Sequence, residues 1–125
     1  MAPTIFKTLE ASEILIPEGC HIIEIMNQPG IDFSIARARA EAGVTTALHK
    51  VKGTTECYYI LAGTGLVQSG NQMKGNVAAG DVVMFPPDAP QTITNTGRED
   101  LVFLAICYPR FVNEAYVDLE DTQRR

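Results

Sequence analysis

The chain has 125 residues, 46% of them hydrophobic, with 15 acidic against 10 basic side chains and a net charge of -5. That length suits one domain, which at this size buries roughly two thirds of the surface its unfolded chain exposes. The basic residues cluster only at Arg124-Arg125 and no apolar run reaches the length of a membrane span, which argues against nucleic acid and membranes as partners. The opening MAPTIFKTLE carries no uninterrupted apolar stretch of signal-peptide type, so the expected compartment is the cytoplasm.

Short stretches rich in Val, Ile, Phe, Tyr and Thr alternate with Gly, Pro, Asn and Asp, and none holds a clean helical period. The expected fold is all-β, with strands over 21–26, 33–41, 45–51, 56–62, 65–69, 72–77, 81–85, 91–95 and 101–107. His21 opens the first strand without a ligand-spaced partner and reads as structural or exposed. In the second, Phe33, Ile35, Arg37 and Arg39 share one face and Ser34, Ala36, Ala38 and Ala40 the other. Arginines aimed into a pocket would grip a carboxylate or phosphate, but buried arginine is rare, and the solvent face is the expected place for both.

In the third and fourth strands His49 shares a face with Val51, and Glu56 shares one with Tyr58 and Ile60, while Tyr59 points away. The short connector with Gly53 lets His49 and Glu56 converge if both faces turn inward. Gly63 and Gly65 bracket a bend, Gly70-Asn71 has the makings of a hairpin turn, and Pro86-Pro87 ends a strand. Strands in this meandering order pair antiparallel with their neighbours. On the last long strand Cys107 shares a face with Leu101, Phe103 and Ala105. Cys20, Cys57 and Cys107 lack a C-x-x-C pair and are expected as reduced thiols, although a thiolate at Cys107 would strengthen a metal site beside it. After Cys107 the C-terminal extension, 109–125, offers Phe111, Val112, Tyr116, Val117 and Leu119 to cover one end of a barrel or to meet a partner subunit, and its last five or six residues are expected to be loose.

Two segments resemble the paired motifs of the cupin superfamily. GVTTALHKVKGTTECYYILAG (43–63) keeps every anchor of the first motif except its second histidine, where Val51 stands. GDVVMFPPDAPQTITN (80–95) keeps Gly80, Pro86 and Asn95 of the second, with Asp88 for its glycine and Gln91 for its histidine. The resemblance implies a small single-domain cupin over residues 1–125, a jelly-roll-like β-barrel or double-stranded β-helix, that forms homodimers. Carried over position by position, it implies a divalent-metal site on His49, Glu56 and Gln91. An imidazole, a carboxylate and an amide oxygen would hold Mn, Fe, Ni or Zn weakly. The alternative is that these three side chains form a hydrogen-bonded core cluster.

Two functions stay open on these grounds. One is a metal-dependent enzyme of isomerase, dioxygenase, lyase or cyclase type, acting on a small polar or carboxylated molecule, with Glu56 and Tyr58 as proton carriers. The other is a metal-free module that binds a small molecule in a barrel lined by Val51, Ile60, Phe85 and Phe103. Fold alone does not choose between them.

Overall fold

The computed structural model describes residues 2–120; the expectations for the last five residues, Arg124-Arg125 among them, lie outside the described residues. The strands are β1 (Ile14–Leu15), β2 (His21–Met26), β3 (Ser34–Ala40), β4 (His49–Val51), β5 (Thr55–Ala62), β6 (Thr64–Ser69), β7 (Met73–Ala78), β8 (Val82–Phe85), β9 (Thr92–Asn95), β10 (Leu101–Tyr108) and β11 (Tyr116–Asp118). The other regular elements among the described residues are single 3-10 turns at Glu10–Ser12 and Asn113–Ala115.

Every strand expected from the sequence is present, most within a residue of the expected ends, and one is less than half its expected length. Over 45–51, only His49–Val51 forms a strand, with Thr45 making a single bridge to Thr94. The interruption has a local cause: the Ala47 amide is taken by the carbonyl of Glu18, and the Thr46 hydroxyl accepts from the Ile93 amide at 3.0 Å. These bonds fasten the stretch to a turn and a neighbouring strand in place of a continuous ladder. The two strands that sequence periodicity missed, β1 and β11, are two and three residues long, too short to display a period.

All pairings are antiparallel. One sheet runs β1-β2-β3-β10-β5-β8; opposite it lie β7-β6-β9 and β11-β4, joined by the bridges Thr45 to Thr94 and His49 to Gln91. Phe85, Ile60, Phe103 and Leu101 from the first sheet and Val67 and Ile93 from the second meet in a single core, the largest of them almost fully buried. Tyr58 packs edge-on to Phe85 and tilted against Phe103, with ring centroids 5.0 and 4.5 Å apart.

The register lays the inward residues of the large sheet in rows. Ser34, Cys107, Glu56 and Phe85 form one, and Glu24, Ala36, Ala105, Tyr58 and Val83 the next. Because Ala36, Ala38 and Ala105 are small, the two sheets leave space between them. The alanine face of β3 therefore turns inward, and Arg37 and Arg39 turn outward. There Arg37 pairs with Glu10, and Arg39 pairs with Glu13 at 2.6 Å and Asp100 at 3.1 Å, so the arginines fasten the N-terminal segment to the outer face.

Anchors of both motifs act on the backbone. Asn95 is 2% exposed; its amide donates to the carbonyls of Ala40 and Glu99 and its oxygen accepts from Gly97, which pins the turn before β10. At Gly63, φ is +88° and a Cβ would lie 2.7 Å from the Asp100 carbonyl oxygen, so only glycine fits. Asp88, in the place of the motif glycine, keeps the left-handed conformation at φ +68°.

Candidate functional site

The space between the sheets is a pocket of about 130 Å³. Its walls are largely apolar, from Ile22, Val51, Phe103, Ala105 and Phe111, and its polar end carries His49 and Glu56, with Tyr58 and Tyr116 alongside. The bridge between His49 and Gln91, with the Gln91 amide donating to the His49 carbonyl at 2.7 Å, brings β4 beside the start of β9. The sequence-predicted residues His49, Glu56, Tyr58 and Gln91 are thus gathered inside the barrel, at 3%, 7%, 3% and 1% exposure.

Three of these four side chains have defined hydrogen-bond partners, and Glu56 has a buried oxygen without one. His49 donates from Nδ1 to the Ala47 carbonyl at 2.8 Å, which orients the ring and leaves Nε2 toward the pocket. Tyr58 donates its hydroxyl to Gln91 Oε1 at 2.8 Å, and both residues are buried. Burial pushes the Tyr58 phenol well above its ordinary range, with the Glu56 charge adding to the effect, so the proton stays on that hydrogen bond. Oε1 of Glu56 is buried with no hydrogen-bond partner. Burial raises the Glu56 carboxyl above the usual range, opposed by the neighbouring His49 charge and the Gln91 amide and reinforced by the Glu18 charge.

Glu18 escaped the reading of the sequence, and Tyr116 was expected only to cover the barrel end or meet a partner subunit, not to touch His49. Glu18, from the turn between β1 and β2, places Oε1 3.4 Å from His49 Nε2 and accepts from the Cys20 thiol at 3.5 Å. Tyr116 on β11 stacks on the His49 ring with centroids 5.0 Å apart and planes 13° apart. Neither lies in a motif. The pairing of β11 with β4, which sets Tyr116 opposite Val51, is visible only in the folded chain. The C-terminal extension thus closes the end of the barrel, one of the two positions expected for it.

Cys107 and Cys20 are both held toward the thiol form. Cys107 lines the pocket beside Glu56, and burial together with that carboxylate pushes its thiol far above the ordinary range; Cys20 is shifted the same way by burial and Glu18. All three cysteines are free. His21 lies 3.2 Å from Glu41 near the surface, in a structural position.

Among the described residues, no three His, Cys, Asp or Glu side chains are grouped as a divalent-ion site would require. Val51 offers an aliphatic wall where a second imidazole would stand, and the oxygen of Gln91 is already engaged by Tyr58.

A closed pair of antiparallel sheets with a pocket between them is the double-stranded β-helix architecture, and its polar end here carries the residues aligned with the two motifs. A cupin domain profile matches residues 37–107, and the chain belongs to the cupin family. An uncharacterised protein of Methanocaldococcus jannaschii is 39% identical over 85 residues, 68% of this chain and 67% of that one. An oxalate-binding protein of Thermotoga maritima is 39% identical over 71 residues, 57% of this chain and 58% of its own length. Among solved structures, a predicted oxalate decarboxylase of Thermotoga maritima superposes with a TM-score of 0.76 at 26% identity, over 85% of this chain and 99% of that one.

Proposed function

We propose that this cupin binds a small molecule in its barrel without a metal ion, holding the polar end of the ligand on His49 and Glu56 and its body on the apolar walls. The observation that carries the reading is the unpartnered, buried Oε1 of Glu56 at the polar end of an otherwise apolar pocket. A buried oxygen in that state is costly by roughly 1–3 kcal/mol, and a bound donor group would recover that cost. Of the two candidate proton carriers, Glu56 opens to the ligand with a raised pKa suited to giving up a proton, whereas Tyr58 positions Gln91. The barrel works as a single domain in the cytoplasm, and two copies pair through the outer face of β5 and β8.

The same unpartnered oxygen favours a second reading: a metal-dependent enzyme with a weakly held divalent ion on His49 Nε2, Glu56 and, once its amide leaves Tyr58, Gln91. One experiment separates the two. Protein purified without added metal is titrated calorimetrically with Mn²⁺, Fe²⁺, Ni²⁺ and Zn²⁺, and a small-molecule library is screened in chelator by thermal shift, with Ala105→Leu as a filled-pocket control. Ligands that raise Tm in wild type and fail in Ala105→Leu, with no ion bound, uphold the metal-free reading. Stoichiometric binding of an ion overturns it.

A further inference from the structure

Carboxyl groups outnumber basic side chains around the pocket. Glu56 lies at its inner end, Glu18 beside His49 and Glu24 among its lining residues, and none of the described lining residues is a lysine or arginine. The arginines nearest in sequence, Arg37 and Arg39, are committed on the outer face to Glu10, Glu13 and Asp100. His49 is the one basic side chain in the lining, and its Nε2 already faces Glu18. A free carboxylate or phosphate entering this space would meet like charges in a medium of low dielectric, with no fixed cation to hold it.

The walls have the opposite preference. Rings of Tyr58, Phe103, Phe111 and Tyr116 line the same space, and an aromatic ring attracts a cation that approaches its face. Glu56 is 7% exposed, and its Oε1 has no hydrogen-bond partner. We infer that the ligand of this pocket carries a cationic nitrogen, a small alkylammonium of a few carbons, with the nitrogen between Glu18 and Glu56 and the carbons against the aromatic and alanine walls. The size agrees, because a cavity near 130 Å³ holds one molecule of about six heavy atoms. An ammonium group also supplies what Oε1 of Glu56 lacks, a hydrogen-bond donor, and its charge favours the carboxylate form that burial opposes. The inference rests on the proposed metal-free pocket and adds to it the charge of the ligand.

The test uses the full chain in chelator with four probes: n-butylammonium, n-butanol, butyrate and oxalate. Binding is followed by calorimetry in wild type, Glu18→Gln and Ala105→Leu. The expected order is n-butylammonium about tenfold or more tighter than n-butanol, with butyrate and oxalate weakest. Glu18→Gln should reduce n-butylammonium affinity by about tenfold and leave n-butanol unchanged, while Ala105→Leu should abolish both. Butyrate or oxalate binding as tightly as n-butylammonium in wild type overturns the cationic ligand while the pocket stands. The same holds if Glu18→Gln folds and leaves the preference intact. If no probe binds wild type, the pocket reading falls and the inference falls with it.

Discussion

Tyr58 Oη lies 2.8 Å from Oε1 of Gln91, deep between the two sheets, so the residue that replaces the motif histidine is held by a phenol and turns no free oxygen to the pocket. Tyr58→Phe keeps the ring packed against Phe85 and Phe103 and removes only the donor. Leaving Gln91 Oε1 unpaired should cost about 1–3 kcal/mol in urea unfolding. Ligand binding should survive, because the hydroxyl acts on Gln91. A stability change below about 0.5 kcal/mol would show that this bond holds nothing in place.

Val51 is 2% exposed and lines the pocket on the strand of His49. Val51→His alone should destabilise the fold by roughly 1–3 kcal/mol, because a polar ring enters an apolar slot without a partner. Combined with Gln91→His it should create a divalent-ion site with His49 and Glu56, detectable by calorimetric titration with Ni²⁺ where wild type binds none. Equal Ni²⁺ binding by wild type would return the metal-dependent reading.

Glu56 makes stability depend on pH in a definite direction. Burial raises its folded pKa above the unfolded value, so the folded chain keeps a proton that the unfolded chain releases. The stability this contributes is full below the unfolded pKa and is lost as pH rises through the folded one. Urea unfolding from pH 4 upward should therefore show wild type losing stability relative to Glu56→Gln, which carries no charge to bury, with the gap widening until the folded pKa is passed. A constant difference between the two across that range would contradict the assignment.

The N-terminal segment answers to pH with the opposite sign. Hydrogen bonds from Arg37 to Glu10 and from Arg39 to Glu13 hold both carboxyls below the usual carboxylate range. The tether is therefore present above the unfolded pKa and is lost as pH falls through the folded values. Salt weakens it too, since these carboxylates lie at the surface. Hydrogen-exchange protection of residues 10–15, taken relative to the intrinsic rate at each pH, should fall on acidification, and Arg39→Ala should produce the same loss of protection at neutral pH.

The outer face of the large sheet exposes Tyr59 and Leu61 on β5 and Val82 and Met84 on the edge strand β8, at 42%, 43%, 63% and 56% exposure. An unpaired edge next to such a face is suited to a second copy of the chain. Light scattering at micromolar concentration should give the mass of a dimer, and Val82→Lys with Met84→Lys should give a monomer that still binds ligand. A wild-type monomer at that concentration would refute the pairing.

The fold was legible in local signals. Alternation along HIIEIM, ECYYILA and LVFLAIC, together with the glycines and prolines between them, defined the strands, because a side-chain period of two depends on neighbours in the chain. The two motifs placed His49, Glu56 and Gln91 in one barrel, and the rarity of buried arginine correctly sent Arg37 and Arg39, which alternation had set on one face, to the outside. What sequence could not decide was which atom each polar group would meet. The engagement of Gln91 by Tyr58 depends on the packing of two sheets, with partners 33 residues apart in the chain. Glu18 and Tyr116 reach His49 from a turn and from a three-residue strand, neither of which carries a period or motif to announce it. Strand identity is a local property of the chain, whereas the charge and hydrogen bonding of the pocket arise from segments brought together only on folding, so the tertiary structure alone decided what the barrel presents to a ligand.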